Sequence, residues 1–355
     1  MSLRTSSRPL RSAKRRSLTD ADAVAFSAME PGGLPVLASP TTPGVPLSVW
    51  VDAHASQVRR HLHHTGAVLF RGFEEGAAAL RTVVERVAGD GALAYDDGAT
   101  PRSALGEGVY SSTEYPADQT IEMHNEGCYS WRWPRVLGFA CAVPPATGGQ
   151  TPLADSRAVL RRVPADLAGR LERHGVRYVR NYTPGVGIPW KEALGCDEQG
   201  LDGYAERTRT EVVRVGEDHL RTVALRPAVA RHPESGDWVW FNQATSFHVS
   251  TVGGELAAEM VRQLGHDRLP KTTEVGDGAR FAGAELAAIR AAFAAEVTTF
   301  DWRRGDVLVV DNMLVAHGRA PFTGDREIRV AMAGAWDWSG PQTRCTEHAD
   351  EETAR

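Results

Sequence analysis

The chain has 355 residues, 42% hydrophobic and 24% charged, with a formal charge of −5; that composition supports a large core and excludes global disorder. No apolar run approaches the roughly 18 residues that span a bilayer, which excludes membrane insertion, and the acidic balance argues against nucleic acid as a partner. The length suits about two average domains, or one barrel or sandwich with helical insertions.

Residues 1–25 read as a disordered basic tail. Arg4, Arg8, Arg11, Lys14, Arg15 and Arg16 occur there with no acid among the first sixteen residues. No apolar h-region follows, so a secretory signal is not indicated; an organellar transit peptide is the rival reading. Pro31, Pro35, Pro40, Pro43 and Pro46 favour an extended lead-in. Gly66 to Phe73 is a short apolar run that reads as a buried strand, and Gly76 to Ala88 presents Leu80, Val83, Val84 and Val87 on one helical face. Further strands are expected at Val136–Val143, Val176–Tyr182, Trp238–Asn242, Val307–Asp311 and Ile328–Ala333. Helices are expected at Pro164–Arg173, Glu255–Leu264 and Ala284–Ala295. Residues 183–210 are Gly-rich and irregular, and read as a lid insertion or an ordinary surface loop. Residues 340–355, with Glu347, Asp350, Glu351 and Glu352, read as an acidic tail. The expectation is one domain over 26–339, mixed α/β but mainly β. Its sandwich or jelly-roll core carries flanking helices rather than a doubly wound sheet. Four widely spaced cysteines without a C-x-x-C read as reduced thiols in a cytoplasmic protein.

The chemistry concentrates at His124-Asn125-Glu126. On an extended segment, side chains two apart share a face, so imidazole and carboxylate converge on one point. His317, just after the alternating strand Gly305–Asp311, is the candidate for a third metal ligand. Two histidines and one carboxylate on one side of a metal leave the other side open, the arrangement of non-haem Fe(II) oxygenases. Further on, Arg326 and Arg329 could grip a carboxylate through paired N–H donors, or be surface charges. Thr151, after the Gly148-Gly149 pair, could offer a hydroxyl to the same carboxylate, or be a turn residue.

These motifs resemble the taurine dioxygenase superfamily of Fe(II)/2-oxoglutarate oxygenases, in its amino-acid-tailoring branch. That branch is similar to syringomycin-type aspartate hydroxylases and, more distantly, to clavaminate synthase. The resemblance runs from about Gly66 to Met332, through GAVLFRGF, MHNE, GFACAVPPATGGQTPLAD, the Arg-Asn after Val179, VWFNQ, FHVS, GDVLVVDNMLVAHGR and PFTGDREIRVAM. It implies a double-stranded β-helix (jelly-roll) core. It implies His124, Glu126 and His317 as iron ligands, with Thr151 and an Arg, Arg326 first and Arg329 as fallback, holding 2-oxoglutarate. Taurine dioxygenase itself has Asp where this chain has Glu126. Halogenating relatives have no acid there, so Glu126 points to hydroxylation, with desaturation or cyclisation as alternatives. The resemblance also implies O2 as the oxidant. The expected substrate is an amino-acid-like small molecule, free or carrier-protein-tethered, in natural-product biosynthesis. Asn242 and Trp131 are candidate substrate contacts, or equally a satisfied core amide and ordinary core packing. Gln243 could line the pocket as well, or be a satisfied core amide too. His248 reads as structural, and the His61, His63 and His64 cluster as a solvated helix end. A zinc hydrolase or deaminase lacks its P-C-x-x-C and H-E-x-x-H motifs here; a non-catalytic binding module need not keep a complete ligand set.

Overall fold

The computed structural model describes residues 17–29, 33–93, 104–106, 108–112, 115–216 and 219–345. The Arg-rich residues 1–16 and the acids at 347–352 lie outside them. Both expected tail boundaries move. Ala21–Ala23 form a 3-10 turn leading into strand β1 (Val24–Ala28), which pairs along its whole length with β2 (Val36–Pro40). At the other end, Gln342 bridges to Arg231 and Cys345 is buried.

The sequence reading misses helix α1 (Leu47–Thr65), whose many polar residues mask its stripe. Leu47, Trp50, Val51, Val58 and Leu62 nevertheless bury one face. Gly66 ends it at φ 86°, its N–H bonded to Leu62 O, a left-handed cap that glycine adopts without strain. The apolar run then forms β3 (Ala67–Phe70), and the expected helix is a 3-10 turn followed by α2 (Leu80–Ala88). Short strands β4 (Ala104–Gly106), β5 (Val109–Ser111) and β6 (Ile121–His124) lead to the long β7 (Arg132–Val143). Next come β8 (Thr147–Gly148), β9 (Leu153–Asp155), α3 (Ser156–Arg162), α4 (Ala165–His174) and β10 (Val176–Tyr182).

Residues 183–210 are only partly irregular. They contain α5 (Trp190–Leu194) and α6 (Leu201–Thr208), whose Trp190, Leu194, Leu201 and Tyr204 pack on Tyr182 and Leu220 as a small core of their own. Strands β11 (Glu211–Arg214), β12 (Leu220–Arg226), β13 (Val229–Arg231) and β14 (Trp238–Trp240) follow. Then come α7 (Gly254–Leu264), β15 (Lys271–Val275) and α8 (Gly283–Glu296). The chain closes with β16 (Val307–Asp311), β17 (Val315–Arg319), β18 (Phe322–Thr323) and β19 (Glu327–Asp337).

An eight-stranded sheet in the order β1-β2-β3-β16-β7-β19-β5-β4 forms one wall. A four-stranded sheet, β11-β12-β10-β15, and a three-stranded sheet, β6-β17-β9, are built from the remaining long segments. Strand β16 shows why its run is continuously apolar. Val307 and Val309 pack toward α1 and α2, whereas Leu308 and Val310 pack toward Leu153, Val315 and Phe241. A strand buried on both faces needs no polar alternation. Strands β7 and β19 outgrow their expected spans because they pair with each other from Cys141↔Ile328 to Arg132↔Asp337.

Candidate metal centre

Antiparallel pairing sets His317 of β17 directly opposite His124 at the end of β6. Their rings lie 4.4 Å apart, centroid to centroid. His317 follows β16, as the sequence suggested, and lies inside the next strand, β17. Glu126 is not on a strand: the chain turns after His124, and the turn delivers the carboxylate. One ligand atom from each of His124, Glu126 and His317 lies within 4.8 Å of the others. Among the described residues this is the one group of three or more metal-capable side chains so placed.

The surroundings fix these groups. His124 Nδ1 lies 2.8 Å from Glu122 O, which assigns the proton to Nδ1 and turns Nε2 to the centre. Phe139 packs 5.0 Å from the His317 ring. Asn312, fully buried, clamps the turn: its Oδ1 accepts from Glu126 N at 2.8 Å, and its Nδ2 donates to Glu126 O at 2.8 Å and Pro134 O at 2.9 Å. Asn125 Nδ2 donates back to Asn312 O at 2.7 Å, and Gln243 Nε2 donates to Asn125 O at 2.8 Å. Asp311 supports the same loop by accepting from Met313 N, Leu314 N and the buried His232.

Two buried thiols stand near these elements. Burial, then the Glu126 carboxylate, pushes the Cys128 thiol far up. Burial, then Asp306, pushes Cys141 up to about 11. Neither thiol belongs to the group of side chains that converges here, so the donor set is two imidazoles and a carboxylate, which suits Fe(II) with open positions.

The two candidate arginines separate. Arg329 lies on β19, is partly exposed and pairs with Glu327 at 2.8 Å, whereas Arg326 lies in the turn before that strand. Arg326 Nε donates to Gly149 O at 3.0 Å, and its guanidinium lies 5.5 Å from the Phe322 centroid. Burial, then the neighbouring Arg319 cation, draws its pKa down to about 10. It remains charged at neutral pH, in a setting that favours an incoming anion. Gly149, at φ 66°, has no room for a side chain: a Cβ would meet Pro145 at 2.8 Å and the Arg326 Cδ at 3.1 Å. Thr151 is buried and its Oγ1 accepts from Trp302 Nε1 at 3.2 Å, which leaves the hydroxyl proton to donate.

The substrate candidates fare differently. Asn242 is a buried structural amide, donating to Ala228 O and accepting from Ala244 N. Trp131 is half-buried beside Arg209 and Arg226 and lines a small cavity. His248 caps the 3-10 turn Val249–Val252. His61 stacks on Phe26 and His63 pairs with Glu234, with no metal cluster among them. Asn312 is the brace that sequence reasoning did not assign, and Gln243, a candidate pocket residue, is a buried amide that braces Asn125. Asn312 stands beside Asp311 in the quoted run, but only the long-range contact with Glu126 gives it a role.

A model of the Taurine catabolism dioxygenase TauD, TfdA family matches residues 34–336. The chain is 34% identical over 272 residues to the dapdiamide synthesis protein DdaC of Enterobacter agglomerans, covering 76% of this chain and 83% of that protein. It is 29% identical over 320 residues to a clavaminate synthase-like protein of Arabidopsis thaliana, covering 84% and 93%. In fold it is similar to PvcB, an Fe, alpha-ketoglutarate dependent oxygenase from an isonitrile synthetic pathway, with a TM-score of 0.53, 18% identity and 93% and 100% coverage. It is also similar to a taurine dioxygenase from Burkholderia xenovorans, with a TM-score of 0.50, 18% identity and 90% and 92% coverage. The double-stranded β-helix core expected from the sequence is the fold of these proteins. The chain belongs to the TauD/TfdA family and is an Fe(II)/2-oxoglutarate-dependent dioxygenase.

Proposed function

We propose that this chain hydroxylates an unactivated C–H bond of an amino-acid-like small molecule in natural-product biosynthesis, releasing succinate and CO2. The observation that carries this is the His124–His317 cross-strand pair with Glu126 delivered beside it. His124, Glu126 and His317 hold Fe(II), and the metal, when bound, supplies the oxidation of co-substrate and substrate by O2. Arg326 and Thr151 hold the distal carboxylate of 2-oxoglutarate, Arg326 as the desolvated cation and Thr151 through its free hydroxyl proton. The acid at 126 fills the coordination position that a halide would otherwise need, which favours oxygen transfer. DdaC, a dapdiamide synthesis protein, supports the natural-product setting. The helices of 183–210 act as a lid: Tyr204 and Thr208 stand on the cavity that Trp131 also lines. Four free cysteines support a cytoplasmic location.

The test begins with anaerobic addition of Fe(II) and 2-oxoglutarate, which should give a weak visible charge-transfer band. His124→Ala and His317→Ala should each lose iron and the band. With a panel of amino acids, free and carrier-loaded, intact mass should show a gain of one oxygen with one succinate per product. Wild-type iron affinity in both alanine variants would overturn the metal assignment; loss of two hydrogens would replace hydroxylation by desaturation.

A further inference from the structure

The pairing of β10 with β15 sets Arg180 directly opposite Lys271. Both cations lie over one ring, Phe247, at 5.1 and 5.5 Å from its centroid, and Arg180 also lies 5.2 Å from that of Tyr129. Like charges facing each other across a ladder are destabilising, and desolvation strengthens the repulsion. Three residues earlier on the same strand, Arg177 faces Glu274, an ordinary complementary pair. Among the described residues no carboxylate pairs with Arg180 or Lys271. Burial, then Arg180 itself, draws the Lys271 pKa down.

The Arg180 Nη2 is buried without a hydrogen-bond partner. Its side chain walls a cavity of about 40 Å³ together with Tyr129, Trp131, Tyr204, Thr222 and Arg226. That is room for about three water-sized atoms, the size of a carboxylate head. Arg226 on the same wall is committed to protein, its Nη1 donating to Arg209 O at 3.0 Å and its Nη2 to Thr208 O at 2.7 Å. The cavity and the metal centre share a neighbour in Tyr129, which lines the cavity. Tyr129 follows Glu126 by three residues, and Tyr129 and Phe247 share a buried cluster with Met123 and Ala316, the chain neighbours of His124 and His317.

We propose that Arg180, backed by Lys271, binds a free carboxylate of the substrate, and that the substrate is therefore an untethered amino-acid-like molecule. An aminoacyl thioester has already committed its carboxyl group to the carrier. The proposal rests on the hydroxylase reading above, but its binding step needs neither iron nor turnover.

The test is thermal stability of the full chain titrated with sodium acetate, and with acetamide, at constant ionic strength and without iron or 2-oxoglutarate. Acetate should stabilise the wild type and Arg326→Met, while acetamide should not. Arg180→Met and Lys271→Met should each need about tenfold more acetate or better for the same effect, with Arg180→Lys intermediate. Lys271→Met leaves the Arg180 stacking intact and carries the test should Arg180→Met fail to fold. In the oxygenase assay, free amino acids should be oxidised and their C-terminal amides and carrier thioesters should not. An acetate response equal in wild type and both Met variants, or turnover of thioesters alone, would overturn the proposal. Failure of the hydroxylase reading shows separately, as loss of iron and 2-oxoglutarate binding.

Discussion

Arg326 is a partly buried guanidinium, and the proposed grip on 2-oxoglutarate rests on it. Arg326→Met is expected to weaken 2-oxoglutarate binding by roughly 30- to 150-fold, about 2–3 kcal/mol for a charge-assisted pair. Arg329→Ala, on the exposed side with Glu327, should stay within about twofold; titration of each Fe(II)-loaded variant checks both. Asn312 acts through the turn rather than on the metal. Asn312→Ala strands the Glu126 N–H and two buried carbonyls, and should cost about 2–4 kcal/mol of stability. Denaturant unfolding measures that loss, and iron titration should show weaker binding because Glu126 loses its anchor.

Elements meet their partners through register, and the β6–β17 register is what makes the metal centre: a shift of one residue would turn one imidazole to the opposite face. A second element-scale consequence concerns the 3-10 turn Val249–Val252, capped by His248 Nδ1, which accepts from Ser250 N at 3.1 Å. Burial, then Arg290 and His266, lowers the His248 pKa from 6.5 to about 4. Protonation takes away the accepting lone pair. The unfolded chain takes up this proton near 6.5 and the folded chain only near 4, so the contribution is full above pH 6.5 and is lost as pH falls toward 4. His248→Asn keeps a capping acceptor without a titrating ring, and its stability should fall less steeply across that window. Equal slopes in thermal melts from pH 7.5 to 4 would count against this.

For the whole molecule, the N-terminal segment closes the outer layer of the core. Strand β1 lies on β2, Trp50 Nε1 donates to Asp20 O, and Phe26 stacks on His61 at 4.0 Å. Removing residues 1–28 uncovers Trp50 and leaves β2 as a bare edge. Relative to a chain lacking only residues 1–16, its Tm should drop by about 5 °C or more; equal melting temperatures would mean that β1 is dispensable to the fold.

Much of this was legible from order along the chain. The apolar strand β16 and the helix faces follow from side-chain period, and the sequence names all three metal-capable residues because their chemical types and motifs are local facts. Helix α1 and the helices in 183–210 were not legible, since their apolar stripes are diluted by polar residues and become visible only where Trp50 or Tyr204 meets a partner. The different surroundings of Arg326 and Arg329, the clamp by Asn312 and the meeting of Arg180 with Lys271 were likewise decided by tertiary structure. Sequence alone determined which groups the chain carries and the period on which they recur. Which of them face inward, and which come opposite one another from distant segments, is a property of strand register and burial, and those exist only once the sheets have formed.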